Sequence, residues 1–160
     1  MGGGLPDSAL AAIVVAAGYL AGSMPFGYWL VRAFKHDDIR RHGSGNIGAT
    51  NVWRAYGRRL GLPVMLLDVL KGLVPALVAT LVVGKWAGVL AGGAAMLGHW
   101  RPLFMGFAKG GKMVATAGGT LLGVAPLVGL AAAGVWIFCF VLLRYASAAP
   151  AATPTGRSAT

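Results

Sequence analysis

The residues best suited to chemistry lie in two glycine-rich stretches. In Gly43-Ser44-Gly45-Asn46-Ile47-Gly48-Ala49-Thr50-Asn51-Val52-Trp53-Arg54, three glycines, two asparagines and two hydroxyls fall within nine residues, with an arginine just beyond. Glycine lets successive backbone N–H groups turn inward to form an anion-binding nest, and hydroxyls and amides add further donors. Arg54 adds a planar, bidentate group for a phosphate. The second stretch is Lys109-Gly110-Gly111-Lys112, leading into Val114-Ala115-Thr116. Two lysines flank a flexible Gly-Gly at the start of an expected helix, where free N–H groups favour phosphate. The spacing is not that of a Walker loop, so nucleotide hydrolysis is not expected.

Two further features stand inside apolar runs. Asp68 and Lys71 are three residues apart and share one helix face. A charge within a span is a functional candidate by default, and a self-paired structural ion pair is the equal alternative. His99 sits between Gly98 and Trp100 at the end of another run, as a donor or as a structural cap. No Gly-x-Ser-x-Gly elbow, metal-ligand cluster or carboxylate pair occurs, so neither a metal nor a cofactor is expected. The chain offers donors for anions without a nucleophile–base pair.

These residues must be held by membrane helices. Hydrophobic residues make up 57% of the 160 and charged residues 11%, against roughly 25% charged in soluble domains. The 26 glycines suit helices whose backbones approach closely in a bilayer. A net charge of +10 on a soluble domain would suggest nucleic acid. Here the basic residues sit in short loops between apolar runs, which points instead to anionic lipid and anionic substrates, with no nucleic-acid partner. The lone cysteine, Cys139, lies in an apolar run and is expected to be packing.

The first apolar run, Ser8 to Val31, is long enough to span. It is too long for a signal-peptide core, and no basic residue precedes it. Pro25 and Gly27 are expected to bend it near its end. The loop from Arg32 to Gly61 carries the densest basic cluster, placing it in the cytoplasm and the N-terminus outside. Leu62 to Gly84 and Trp86 to about Phe104 make the next two runs, joined by an external turn at Lys85. Val114 to Leu143 leaves two readings open, one long tilted helix or a hairpin broken at Pro126. The hairpin is favoured because Arg144 then returns to the positive side. The expected fold is all-α: a polytopic transmembrane helical bundle of four or five spans with cytoplasmic glycine-rich loops. It forms one domain over 1–147, followed by a disordered tail over 148–160.

The motifs resemble those of the bacterial glycerol-3-phosphate acyltransferases that use acyl phosphate as donor. Ser44 to Val52 with Arg54 is similar to that family's first motif, and Asp68-Val69-Leu70-Lys71-Gly72 to its Asp-x-x-Lys-Gly. Gly98-His99, Pro102, Phe104 and Phe107, leading into Gly110-Gly111-Lys112 and Val114-Ala115-Thr116, are similar to the second motif. Arg144-Tyr145-x-Ser147 also fits. The resemblance runs from about Gly22 to Ser147. It implies transfer of a fatty acyl group from acyl phosphate to the 1-hydroxyl of glycerol 3-phosphate, giving lysophosphatidic acid for phospholipid synthesis at the bacterial cell membrane.

An acyl phosphate is already activated, so positioning and leaving-group stabilisation could suffice without a covalent intermediate. The resemblance implies Ser44, Arg54 and His99 as catalytic residues. It implies Gly45, Asn46, Gly48, Thr50, Asn51, Asp68, Lys71, Gly110, Gly111, Lys112, Thr116 and Ser147 as substrate-binding residues. Membrane lipids, and an upstream enzyme that forms the acyl phosphate, are the implied partners. Two departures stand out. Met113 occupies a position where the family has glycine, and no third motif with histidine, asparagine and arginine follows Ser147. A truncated product is therefore expected. A non-catalytic anion-binding or transport protein, or an inactive remnant, is the rival reading. The outer halves of the spans hold almost no polar residues, which favours a one-sided enzyme over a carrier.

Overall fold

The computed structural model describes residues 7–148, and these form helices and connecting loops with no strand among the described residues. Helix α1 covers Asp7–Gly22 and α2 covers Phe26–Lys35. The first apolar run is therefore divided into two helices at 23–25, within one stretch still long enough to span. Pro25 lacks an N–H and pushes Met24 out of the helical region, so the chain stops at Ser23 and restarts at Phe26.

The basic segment that follows is more ordered than a plain loop. It holds a short 3₁₀ turn over Ile39–Arg41 and helix α3 over Ala49–Tyr56. Helix α4, Arg58–Val82, continues through Pro63 and Pro75. Helix α5 is Lys85–Trp100, followed by a 3₁₀ turn over Leu103–Met105 and an extended stretch to Lys112. Helix α6 is Val114–Val124 and α7 is Pro126–Ala148. The break at Ala125 excludes a single long helix over 114–143. Gly129 in the first turns of α7 lies close against Leu121 and Leu122, so the chain folds back there. Two stretches, 7–35 and 58–82, are long and apolar enough to cross a membrane.

Close glycine contacts fix the helix directions. Gly18 and Gly22 of α1 face Ala91 and Ala95 of α5, so these helices run parallel. Gly119 and Gly123 of α6 advance along α4 from Val69 to Leu77, so that pair is also parallel. Gly88 of α5 faces Ala76 and Thr80 of α4, and Gly92 faces Thr120 of α6, which sets α5 antiparallel to both. The end of α1, the starts of α4 and α6 and the end of α5 therefore meet at one end of the bundle. Both glycine-rich segments lie at that end.

The packing is that of a bundle solvated by lipid. Ala76, Ala79, Ala87, Ala91 and Ala95 are buried, while Leu81, Trp86 and Leu127 point outward, Trp86 and Leu127 each 83% exposed. Small residues inside and large apolar residues outside let backbones approach closely where water exclusion supplies no driving force. Among the described residues, the buried aliphatic side chains larger than alanine lie beneath the first glycine-rich loop. There Val31, Ile39, Ile47, Val52, Leu60 and Val64 form a compact cluster. Cys139 is exposed on α7, contrary to the packing role expected, because beyond Gly129 this helix turns no buried side chain toward the described residues. The tail expected over 148–160 falls outside the described residues, except for Ala148 in α7.

Candidate active site

The segment 39–51 is built around one side chain. Asn51 is 6% exposed, and its Nδ2 donates to the carbonyls of Asn46 at 2.8 Å, His42 at 3.0 Å and Ile39 at 3.4 Å. Its Oδ1 accepts from the backbone N–H of Ser44 at 3.2 Å. An apolar side chain could not close this turn, because the Asn46 carbonyl and the Ser44 N–H would lose their partner. Asn46 Oδ1 accepts from the N–H of Gly48 at 2.7 Å, which fixes the entry to α3. Gly43 (φ +55°) and Gly45 (φ +67°) hold left-handed conformations that the turn requires.

A polar network clamps the start of this segment to α3. Asp37 accepts from the Tyr56 hydroxyl at 2.7 Å and pairs with His42 Nε2 at 2.8 Å, while the His42 and Tyr56 rings meet edge to face. The Tyr56 hydrogen bond, the largest influence, holds the Asp37 carboxyl below its ordinary range. Tyr56 is pushed up to about 12, first by burial and then by that carboxylate. Asp38 pairs with Arg40 at 2.6 Å, which lowers its carboxyl to about 2, and the Arg40 guanidinium lies 5.0 Å above the Tyr28 ring. Nothing in the sequence spacing of Asp37, His42 and Tyr56 marked this cluster, since the segment must fold before they meet.

The second glycine-rich segment runs back along the end of α5. Gly110 N–H bonds to the Trp100 carbonyl at 3.0 Å and Gly111 N–H to the His99 carbonyl at 2.8 Å. Both glycines are needed for close approach: a Cβ on Gly110 would overlap the His99 carbonyl, and one on Gly111 would overlap the His99 ring. Lys109 Nζ reaches the Ser44 carbonyl at 3.5 Å, linking the two segments.

Between them is a cavity of about 260 Å³ lined by Ser44, Asn46, Trp100, Lys109, Gly110, Gly111, Lys112 and Met113. Beside it, α6 begins with no side chain capping its first turn, leaving backbone donors at the rim. Lys112 is exposed, with no ion-pair partner among the described residues. A hydroxyl, an amide, two ammonium groups and backbone N–H groups thus converge on one small space. Such a site can hold a phosphate and stabilise charge on an oxygen.

Several expected site residues stand elsewhere. Arg54 and Thr50 are exposed on α3 and do not line the cavity. Gly45 and Gly48 shape the loop, and the Asn51 amide is fully engaged within it. Thr116 is fully buried on α6 against Gly72, its hydroxyl without a hydrogen-bond partner. Asp68, Lys71 and His99 are 2%, 5% and 3% exposed and lie beneath the loops without lining the cavity, the His99 ring packing against Gly111. Ser147 falls in the last turn of α7, and its side chain lies outside the described residues. Trp100, which sequence reading treated only as a neighbour of His99, forms one wall.

The motif order and the fold they build are shared with proteins of known class. The family described as glycerol-3-phosphate acyltransferase matches residues 12–155. The chain belongs to that family. It is 50% identical over 139 residues to the glycerol-3-phosphate acyltransferase of Rhizobium etli, covering 87% of this chain and 66% of the relative. The Hyphomonas neptunium protein of the same name is 49% identical over 146 residues, covering 91% and 70%. The crystal structure of PlsY (YgiH), an integral membrane glycerol 3-phosphate acyltransferase, in its glycerol 3-phosphate form, superposes with a TM-score of 0.77 at 46% identity. That match covers 82% of this chain and 66% of the other. The lysophosphatidic acid form gives 0.73 at 45% identity. The chain therefore spans about two thirds of the length of these relatives.

Met113 stands at a position where the backbone asks for glycine. Its φ of 63° is left-handed, a conformation that costs a residue with a Cβ roughly 1 kcal/mol. Its side chain also lines the cavity. Met113→Gly is expected to raise stability by up to about 1 kcal/mol and to tighten inorganic phosphate binding. Thermal unfolding and calorimetry check both, and a loss of stability would show that the methionine is a packing residue.

Proposed function

We propose that this chain is an integral membrane acyltransferase that moves a fatty acyl group from acyl phosphate to the 1-hydroxyl of glycerol 3-phosphate. The product is lysophosphatidic acid, which enters phospholipid synthesis. The observation that carries this reading is the donor-lined cavity between the Ser44 loop and Gly110–Lys112 at one end of an apolar bundle. Both substrates present phosphate to a site of that kind. The donor is a mixed anhydride, so attack by the glycerol hydroxyl on the acyl carbonyl forms the ester, breaks the acyl–phosphate bond and passes the hydroxyl proton to the departing phosphate, without prior activation of the donor by the protein. The lysines, the α6 N–H groups and Ser44 are suited to stabilise the departing charge, and positioning supplies much of the rest.

The cavity end is cytoplasmic on this reading, because Arg32, Lys35, Arg40, Arg41, Arg54, Arg58, Arg59, Arg101, Lys109 and Lys112 all gather there while Lys85 marks the opposite end. The N-terminus is then outside. Helices α1, α4 and α5 cross the bilayer. Helix α6 rises only roughly 16 Å at 1.5 Å per residue before α7 turns back, so the fourth apolar run is a hairpin. The acyl chain reaches the site from the lipid along the outward apolar faces.

The test is an assay of purified protein in lipid with acyl phosphate and glycerol 3-phosphate, following lysophosphatidic acid. Wild type is expected to form product. Lys112→Met is expected to raise KM for glycerol 3-phosphate about 10- to 100-fold, the worth of one charge-assisted contact. Absence of product at every protein concentration, with inorganic phosphate still bound, would instead establish a non-catalytic anion-binding protein.

A further inference from the structure

Three chain segments meet around one buried ion pair. Asp68 Oδ1 lies 2.8 Å from Lys71 Nζ, one turn along α4, with both side chains all but sealed from solvent. The same oxygen lies 3.8 Å from His99 Nδ1 on α5. That nitrogen is buried and has no hydrogen-bond partner. Lys71 also donates to the Met24 carbonyl at 3.1 Å, at the break between α1 and α2, and lies 5.7 Å from the Phe26 ring centroid. The other edge of the His99 ring presses on Gly111, whose N–H is bonded to the His99 carbonyl.

Neither Asp68 nor Lys71 lines the cavity, and the His99 ring stands between Asp68 and Gly111. A phosphate in the cavity therefore meets the far side of Gly111, not the lysine. The cost of two charges this deep is recovered only through their mutual pairing and the Met24 carbonyl. That pairing fixes the break before α2, the face of α4 and the tilt of the His99 ring in one arrangement. The ring in turn sets how far Gly111 and Lys112 stand from Ser44.

We infer that Asp68 and Lys71 are positioning residues: a neutral buried pair that, through His99, sets the back wall of the phosphate cavity without touching substrate. This rests on reading the cavity as the phosphate site, and not on acyl transfer taking place.

The experiment compares wild type, Lys71→Met, Asp68→Asn and the double variant in lipid. It measures the dissociation constant of inorganic phosphate, kcat/KM for glycerol 3-phosphate, and thermal unfolding. Lys71→Met leaves an unpaired buried carboxylate and is expected to weaken phosphate binding and lower kcat/KM about 100-fold by misplacing the loop. The double variant removes both charges and is expected to recover both quantities to within about tenfold of wild type. A double variant that unfolds like wild type yet stays as impaired as Lys71→Met would overturn the inference, because the lysine charge itself would then be serving the ligand. If the double variant does not fold, Asp68→Asn decides. A positioning pair predicts weaker phosphate binding, whereas a lysine that holds phosphate directly predicts unchanged or tighter binding. Wild type that binds phosphate but makes no lysophosphatidic acid would sink the acyltransferase reading alone, since the phosphate arm still tests the pair.

Discussion

Gly111→Ala is expected to lower kcat/KM for glycerol 3-phosphate by at least about 100-fold while leaving the bundle folded. The added methyl would fall inside the His99 ring. That ring is 3% exposed and wedged toward Asp68, so it has nowhere to retreat. The glycine segment must move instead, which breaks the 2.8 Å bond from Gly111 N–H to the His99 carbonyl and shifts Lys112 and Gly110 away from Ser44. A displacement near 1 Å at a positioning element costs about two orders of magnitude in rate. The cost to stability is about 1–3 kcal/mol, the ordinary range for overpacking. Gly118→Ala is the control. It lies on α6, where a Cβ would meet nothing within 4 Å, and alanine should be neutral or stabilise by up to about 1 kcal/mol. Assays of the two variants beside thermal unfolding separate the cases, and Gly111→Ala activity within tenfold of wild type would mean that the His99–Gly111 contact does not set the site.

That contact shows where sequence reading succeeded and where it stopped. The two glycine-rich stretches, the lysines around Gly110 and Gly111, and the gathering of charge at one end were legible because each is a local pattern: turn-permitting residues, donors, and basic loops between apolar runs. The break at Pro25 was legible only as a bend, because whether a helix bends or stops depends on partners brought from elsewhere in the chain. Here Lys71, 47 positions away, donates to the Met24 carbonyl at the break. The pairing of Asp68 with Lys71 followed from helical spacing, but its depth and its neighbour His99 did not, since α5 must first run antiparallel to α4. Arg54 was placed with the loop donors on sequence proximity alone. Closeness in sequence to Ser44 and Asn46 suggested a shared ligand, yet α3 intervenes and leaves Arg54 exposed outside the cavity wall.

Asn51 carries the second large effect, and it acts through the loop. Asn51→Ala would leave the carbonyl of Asn46 and the N–H of Ser44 without their partner, and the carbonyls of Ile39 and His42 with only their backbone turn bonds. At about 1 kcal/mol net for each well-made hydrogen bond, the loss is about 2–4 kcal/mol. The cost concentrates in residues 39–48 and in the apolar cluster that Ile39 and Ile47 share with Val31, Val52 and Val64, while the glycine contacts that pack α1, α4, α5 and α6 are untouched. The bundle should therefore persist while the loop opens locally. Arg40 and Arg41 lie in this segment, so trypsin cleavage there should accelerate markedly in the variant, and kcat/KM should fall about 100-fold as Ser44 and Asn46 leave the cavity. Asn51→Asp sharpens the test. It keeps the shape and the acceptor for Ser44 but replaces the donor with an oxygen facing three carbonyls, so it should be at least as damaging as alanine. If Asn51→Asp retains wild-type protease resistance and activity, the amide donor is not what closes the loop, and the turn must be held by Gly43, Gly45 and the Asp37–Tyr56 clamp alone.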